Sequence, residues 1–285
     1  MIGFNFIASP GDLGNQMFKY AALRGIAKTN NKDFLIPPSY YKLEKYKPLY
    51  NLYVKTINPK IRQNHLLFDC FKMESVSQKN IGYIETDNLI KEKQFHFDPD
   101  FFSVEHNNFD ILGYFQSEKY FKNVSDIIRS DFQFKDNIDK RSKSIFLRLV
   151  NPVSIHVRRG DYLTNPNHSS LNISYYRRAL SRFDHERTFL IFSDDTNWCK
   201  KQHVFSNKNF LFAEDFTKGI KYLDLSLMSK CNDHIIANST FSWWGAWLSN
   251  SKNIYAPKHW FKNSKYEDYD TKDLYPENWN LINHE

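Results

Sequence analysis

The chain has 285 residues, and its 39 basic and 32 acidic side chains leave a formal net charge of +7 at pH 7. A hydrophobic fraction of 41% with 17% aromatic residues can bury a sizeable core, which excludes wholesale disorder. The length fits one large α/β domain or two smaller ones. Because the basic residues are scattered along the chain, a solvated surface is favoured over a nucleic-acid-binding patch.

The cysteines and the N-terminus bear on the compartment. Cys70, Cys199 and Cys231 are odd in number and far apart, so they indicate neither a disulfide framework nor a paired metal-binding motif. The chain shows no basic leader followed by an apolar stretch and no window of about 18 apolar residues. We therefore expect a cytoplasmic protein without an integral membrane segment, and peripheral attachment at the inner face of the membrane stays open.

The N-terminal half begins with one predicted βαβ unit. Residues 3–8 are predicted as a strand, 15–28 as a helix and 33–36 as a second strand. Residues 40–110 have weak periodicity, and we assign no elements there. The charged segment 139–143 precedes the next clear strand, so we divide the chain into domains 1–150 and 151–285, leaving open whether the last residues pack back on the first domain.

A glycine-containing turn joins the first predicted strand to the first helix. Gly11 and Gly14 flank Asp12 and Leu13 in this turn. Glycine lets backbone approach a ligand closely, so the turn could close over a phosphate or a sugar. It lacks the Lys-Ser/Thr pair of a P-loop and the full dinucleotide-binding spacing, which disfavours a kinase or a dehydrogenase.

The C-terminal half alternates short apolar runs with helix-like stretches, a pattern typical of parallel strands joined by crossover helices. Such sheets bind ligands at the carboxyl ends of their strands. The predicted strands are 153–157, 188–192, 209–212, 234–237 and 253–255, and the predicted helices are 174–183, 196–203, 220–230 and 241–249.

The first polar motif follows the strand 153–157. Alternation along the strand places Ser154, His156 and Arg158 on one face. Guanidinium groups bind phosphate oxygens through two hydrogen bonds and stay charged, so we favour an anion-binding role for Arg158. The alternative is a structural ion pair, either of Arg159 with Asp161 or of either arginine with a surface carboxylate, and for Arg159 we weigh the two roles equally.

The second motif places two carboxylates after the strand 188–192. Asp194 and Asp195 either hold a divalent cation or accept hydrogen bonds from a base or a ribose. Asp195 also suits the N-cap of the following helix. We expect Asp195 to cap this helix and Asp194 to face the ligand.

The third motif runs from a buried strand into a helix. Ser239 and Thr240 are candidate N-caps, and hydroxyl and backbone N–H groups at a helix N-terminus also form an anion site. Capping and phosphate contact are compatible. We expect Trp243, Trp244 and Trp247 to lie in the core.

Taken together, residues 11–18, 156–162, 192–195 and 238–247 resemble the motifs of glycosyltransferase family 11, the α-1,2-fucosyltransferases. Residues 256–260 and 275–279 also resemble that family. The resemblance implies two Rossmann-like domains facing across a cleft, the GT-B type, with the first on the acceptor side and the second binding the GDP-sugar. It further implies GDP-β-L-fucose as co-substrate, inverting transfer to the 2-hydroxyl of a galactose in a glycan acceptor, and no required metal or other cofactor.

The resemblance also implies roles for individual residues. Arg158 is similar to the arginine that binds the donor pyrophosphate, and Asp194 to a residue facing guanine. Asp12 stands where the family usually has a second glycine. The implied donor-binding set is Gly14, Asn15, Gln16, His156, Arg158, Asp194, Ser239, Thr240, Phe241 and Ser242.

The candidate catalytic residues are Arg158, His156 and Asp161. Breaking the fucose C1–O bond leaves extra negative charge on GDP, and Arg158 would stabilise it. The general base stays open between Asp161 and His156. Residues 162–173, rich in Asn, Pro and Ser, are predicted to form a mobile acceptor loop.

Three other functions compete with this one. A transferase for another nucleotide sugar or acceptor position would share the phosphate-binding motifs. A nonenzymatic glycan-binding protein would not need the anion sites, and a nucleic-acid-binding protein would bind any polyanion with steep salt dependence. The convergence of motifs at one edge of a predicted sheet argues against both nonenzymes.

Overall fold

The computed structural model describes residues 1–8, 10–38, 65–184, 186–249, 251–262 and 269–283. The chain divides into two compact units, Met1–Lys135 with Lys272–Tyr275 and Asp136–Thr271 with Pro276–Glu285. Each unit contains its own parallel sheet with helices, which confirms the predicted α/β class with two Rossmann-like regions.

The division between the units falls at Lys135, ahead of the boundary predicted at residue 150. The intervening Asp136–Phe146 helix packs against the Lys221–Met228 helix of the second unit. The charged segment 139–143, near which the sequence analysis placed the boundary, lies largely on the outer face of this helix. The predicted boundary is therefore displaced by one amphipathic helix.

The first unit contains short parallel strands. In the described part of this unit they form a four-stranded sheet in the order β2-β1-β4-β3. The strands are β1 (Ile2–Gly3), β2 (Phe34–Leu35), β3 (Leu89–Lys91) and β4 (Phe109–Leu112). The α-helices are Leu13–Thr29, Leu67–Cys70 and Ser125–Asp131, and the 3-10 helices are Gln78–Asn80, Pro99–Phe102, Glu118–Tyr120 and Lys122–Val124.

The strand predicted over 3–8 is wrong beyond Gly3. The backbone turns after Phe4, whose carbonyl accepts a hydrogen bond from the Ile7 amide at 3.1 Å. The backbone amide of Asn5 donates a hydrogen bond to Asp110 Oδ1 at 3.0 Å and so does not pair with a neighbouring strand. An apolar run that packs into the core through a turn has the same composition as a buried strand.

A buried polar cluster ties the Leu13–Thr29 helix to the Ser125–Asp131 helix. Asp131 is fully buried, and its Oδ2 accepts hydrogen bonds from Tyr20 at 2.6 Å and from Arg24 at 2.8 Å. The Ser75 amide donates to Asp131 Oδ1 at 2.8 Å. A buried carboxylate is stable only with such partners.

The second unit contains a larger sheet, and all of its pairings are parallel. Its described strands form a six-stranded sheet in the order β10-β9-β8-β5-β6-β7. The strands are β5 (Val153–Val157), β6 (Phe189–Ser193), β7 (Phe210–Phe212), β8 (Asp233–Ile235), β9 (Ile254–Pro257) and β10 (Asn280–Ile282). The remaining helices are Ile173–Leu180, Thr196–Lys200, Ala213–Thr217 and Thr240–Ser249, with 3-10 turns at Gly160–Leu163 and His203–Phe205.

The Thr240–Ser249 helix carries the tryptophans into the interior. Trp243 and Trp244 are fully buried and Trp247 is nearly so, which confirms the predicted core role. Gly245 brings this helix close to its neighbour, since a Cβ there would lie 2.3 Å from Met228 Sδ. In the described ranges, no helix is both long and apolar enough to cross a membrane.

The Asp131 cluster predicts a stability effect. Asp131→Ala should lower the free energy of unfolding by about 3 kcal/mol, because the largely buried Arg24 guanidinium loses its carboxylate. The exposed Asp126 on the same helix is the matched control, and Asp126→Ala should cost less than about 1 kcal/mol. Urea unfolding followed by circular dichroism measures both, and equal effects would contradict the account.

Candidate active site

The strand order of the second sheet reverses between β5 and β8. Open parallel sheets bind ligands outside the carboxyl ends of the strands at such a switch point. β5 ends at Val157 and β8 at Ile235, so Arg158 and residues 238–242 follow the two strands that flank it. The sheet thus brings together two motifs that lie about 80 residues apart in the sequence.

Arg158 is held between two carboxylates. Its Nη2 lies 2.5 Å from Asp161 Oδ1, and its Nη1 lies 3.1 Å from Asp194 Oδ2. The guanidinium also lies over the Tyr162 ring, 5.3 Å from its centroid. With 31% of the side chain exposed, the group is both oriented and open to a ligand.

Arg159 faces different partners. Its Nε lies 3.1 Å from Asp195 Oδ2, and its guanidinium covers the Trp198 ring at 3.9 Å. Asp195 Oδ1 also accepts a hydrogen bond from the Trp198 amide at 3.0 Å, which confirms the predicted N-cap of the Thr196–Lys200 helix. Of the ion pairs considered from the sequence, Arg159 with Asp161 does not form: Arg159 pairs with Asp195, and Asp161 pairs with Arg158. Arg159 is therefore anchored in the framework.

Asp194 connects the two arginines. Its Oδ1 accepts a hydrogen bond from the Arg159 amide at 2.9 Å, while its Oδ2 faces Arg158. Gly160 makes this approach possible, because a Cβ there would lie 2.6 Å from Asp194 Oδ2. Both oxygens of the carboxylate expected to face guanine are thus already engaged.

His156 lies beneath this site. Its Nδ1 is 2.9 Å from the Ser242 hydroxyl, which links β5 to the first turn of the Thr240–Ser249 helix. Burial, with the nearby charge of Arg158, lowers the pKa of His156 to about 3. The imidazole is therefore neutral near pH 7.

The turn after β8 ends at a helix N-terminus. Ser242 is fully buried, and its hydroxyl also donates a hydrogen bond to the Ser239 carbonyl at 3.2 Å. The hydroxyl therefore bonds to groups inside the protein. Thr240 is partly exposed, and it begins the helix. The first amides of a helix lack intrahelical acceptors, so they remain suited to an anion.

Asp224 is a carboxyl group that the sequence analysis did not single out. It lies in the first turn of the Lys221–Met228 helix, on the crossover that leaves β7 at the carboxyl end of the sheet. Its Oδ1 is buried and has no hydrogen-bond partner among the described residues. Burial raises the pKa of Asp224 to about 6, opposed by a hydrogen bond with Thr217 and reinforced by the charge of Glu214. The sequence signal that could have identified Asp224 is an acidic residue among the apolar residues of this helix.

The N-terminal turn lies in the first unit. Gly11 has a φ of 110°, and a Cβ there would lie 2.2 Å from Asn15 Nδ2, so the position requires glycine. Asn15 Oδ1 accepts a hydrogen bond from Gln116 at 2.8 Å. Gln16 is buried, and its Oε1 accepts a hydrogen bond from the Leu66 amide at 2.7 Å. Gly14 is buried in the first turn of the helix.

The three cysteine thiols are free and buried. Across the described residues, no group of three or more His, Cys, Asp or Glu side chains is placed to hold a metal ion. Asp194 and Asp195, which the sequence analysis considered as cation ligands, are instead paired with arginines.

Three relatives with named activities align with 60% to 90% of this chain. The O-antigen biosynthesis glycosyltransferase WbnK of Escherichia coli is 29% identical over 286 residues, 88% of this chain and 93% of that protein. An alpha-1,2-colitosyltransferase of Escherichia coli is 38% identical over 184 residues, 60% of this chain and 61% of that protein. Galactoside alpha-(1,2)-fucosyltransferase 1 of Alouatta belzebul is 25% identical over 273 residues, 90% of this chain and 68% of that protein.

Two solved structures share the fold. The fucosyltransferase NodZ from Bradyrhizobium matches with a TM-score of 0.51 at 9% identity, over 86% of this chain and 90% of that chain. POFUT1 in complex with GDP-fucose matches with a TM-score of 0.51 at 10% identity, over 90% and 96%. The family model described as Glycosyl transferase family 11 matches residues 1–283. The chain therefore belongs to glycosyltransferase family 11.

Proposed function

We propose that this glycosyltransferase moves L-fucose from GDP-β-L-fucose to the 2-hydroxyl of a terminal β-galactoside, with inversion and without a metal ion. The observation that carries the proposal is Arg158, oriented by two carboxylates and partly exposed at the switch point of the second sheet. The family membership and the relatives named for α-1,2 transfer support the reaction class. The acceptor belongs to a surface glycan or an oligosaccharide, in keeping with the O-antigen relative.

The donor diphosphate would take the place of a carboxylate on Arg158. Asp161 is the more exposed of its two partners, with 58% of its side chain in solvent, so it is the one more easily displaced. Phosphate oxygens then receive the guanidinium hydrogen bonds, while Asp194 keeps the side chain aligned. The Thr240 hydroxyl and the first amides of its helix add further donors for the same anion.

Transfer is a single displacement at fucose C1. The acceptor 2-hydroxyl oxygen bonds to C1 as the bond from C1 to the β-phosphate oxygen breaks, and the acceptor proton passes to a base. GDP leaves with added negative charge, which Arg158 stabilises. Asp161, released from Arg158, is the better candidate base, because His156 with a pKa of about 3 is a weak proton acceptor at neutral pH. His156 would then serve as a neutral donor-site contact.

Guanine recognition favours Asp224 over Asp194. A carboxylate can accept hydrogen bonds from the guanine N1–H and amino groups, which adenine does not present in that arrangement. Asp224 has one buried oxygen, Oδ1, without a partner beside a hydrogen bond with Thr217, whereas both oxygens of Asp194 are engaged by the arginines. We therefore assign base reading to Asp224 and arginine alignment to Asp194.

A second donor has its own support. The relative named alpha-1,2-colitosyltransferase is more identical to this chain, over a shorter segment, than the other relatives described above. Colitose differs from fucose by the loss of the 3-hydroxyl. The alternative function is transfer of this deoxy sugar from its GDP-linked form.

The purified protein should form a fucosylated product from GDP-fucose and a β-galactoside in the presence of EDTA. Two-dimensional NMR of the product should show an α-linkage to galactose O2. Faster transfer from GDP-colitose would establish the second donor. Another linkage, or a requirement for a metal ion, would contradict the proposal.

Arg158→Ala tests the role of the guanidinium group in this assay, and Arg178→Ala is the matched control. We expect kcat to fall about 10²- to 10³-fold, the usual cost of removing one preorganised donor to a developing anion. Arg178→Ala removes an exposed arginine from the Ile173–Leu180 helix and should leave kcat unchanged. Both variants should unfold at the wild-type temperature.

Asp224 predicts how nucleotide binding depends on pH and base. GDP affinity should rise from about pH 5 to about pH 7, because the ionised form of a carboxyl with a pKa of about 6 accepts the guanine hydrogen bonds. Asp224→Asn should weaken GDP binding about tenfold or more and remove this pH dependence. Asp194→Asn should weaken GDP and ADP alike. Calorimetry would refute the assignment if Asp194→Asn alone erased the preference for GDP.

A further inference from the structure

The segment after the arginines, residues 162–169, is anchored within itself. Asn165 Oδ1 accepts hydrogen bonds from the amides of Asn167 at 2.8 Å and His168 at 3.0 Å. The His168 ring stacks on the Tyr162 ring, with centroids 4.8 Å apart and planes at 14°. These hydrogen bonds and the ring stack give residues 162–169 a defined local structure within the stretch 162–173 that was predicted to form a mobile loop.

The same segment is joined to residues 260–262, which follow β9. The Lys262 amide donates to the Asn167 carbonyl at 2.8 Å, and its ammonium group donates to the Asn165 carbonyl. His168 Nδ1 lies 3.4 Å from the Trp260 carbonyl, and its ring packs on Phe261 at 4.9 Å. Two segments almost a hundred residues apart in the sequence thus form one surface layer.

Asn238 joins this layer to the donor site. Its side chain is 1% exposed, and its Nδ2 donates to the Ser169 carbonyl at 3.1 Å and to the Trp260 carbonyl at 3.0 Å. The backbone carbonyl of Asn238 accepts a hydrogen bond from the Tyr162 hydroxyl at 2.9 Å. One residue at the end of the β8 turn therefore holds both segments of the layer, directly before the hydroxyls at 239–240.

We propose that Asn238 is a positioning residue that locks residues 162–169 and 260–262 to the phosphate-binding turn, so that the walls around Arg158 move as one body. This inference rests on the proposed function only for its effect on transfer. The coupling between the two segments follows from the structure alone, because the Asn238 side-chain amide donates to one carbonyl in each of them. An aspartate of the same shape cannot donate these bonds, so the chemistry of the amide matters as well as its volume.

Hydrogen exchange followed by mass spectrometry tests the lock directly. In Asn238→Ala and Asn238→Asp, amides in both segments should exchange about tenfold faster, since two side-chain hydrogen bonds are lost. Tyr162→Phe removes only the hydroxyl bond and should accelerate both segments by about threefold. Peptides from β5 should exchange at the wild-type rate, which shows that the sheet remains folded.

The matched control is Asn80 of the first unit, which is also buried and hydrogen-bonded through its side chain. Asn80→Ala should leave exchange in residues 162–169 and 260–262 unchanged. The lock is refuted if Tyr162→Phe and either folded Asn238 variant keep wild-type exchange there. It is also refuted if only one of the two segments loosens.

Comparing kcat with the Kd for GDP distinguishes a positioning role of Asn238 from a purely structural one. In Asn238→Ala, kcat for fucosyl transfer should fall about tenfold, while the Kd for GDP stays within about threefold of wild type. An equal loss of GDP binding and of kcat would overturn the positioning role. If the wild-type protein neither binds GDP nor transfers fucose, the proposed function fails, while the exchange experiment still decides whether Asn238 couples the segments.

Discussion

The pairing of the Arg158 guanidinium with Asp161 and Asp194 is the constraint on which the candidate site depends. The partly buried positive charge of Arg158, at the end of a buried strand, is offset by two carboxylates. Asp194 supplies one from the neighbouring strand, and its close approach requires glycine at position 160. Asp161 supplies the other from a more exposed position. The arrangement gives the arginine one partly buried partner and one exposed partner.

The two consecutive arginines have different partners. Arg159 turns toward Asp195 and Trp198, where a cation–π contact and an ion pair hold it in the framework. Arg158 remains available for a ligand. The doublet therefore combines a structural anchor with a partly exposed guanidinium, which we propose binds the donor diphosphate.

Much of the second unit could be predicted because its central strands are buried on both faces. Such strands are continuous apolar runs, and the bounds predicted for β5 match the structure. The first unit was harder to predict, because β1 and β2 each have two residues and hardly differ from turns. The C-terminal strand β10 was missed for a similar reason, since two of its three residues are exposed.

The site was predicted to the extent that its motifs follow strands of one parallel sheet. Side-chain partners could not be predicted in this way, because they depend on contacts between distant segments. Asn238 illustrates the limit: its partners Ser169 and Trp260 come from separate loops. Asp224 illustrates another, since burial and an unpartnered oxygen appear only in the folded chain.

The most direct test of the central claim compares GDP with GMP by calorimetric titration in EDTA. If the protein's own Arg158 binds the donor diphosphate, GDP should bind at least about tenfold more tightly than GMP, and Arg158→Ala should remove most of that difference. Equal affinities for GDP and GMP in the wild-type protein, or loss of GDP binding in EDTA, would contradict the account.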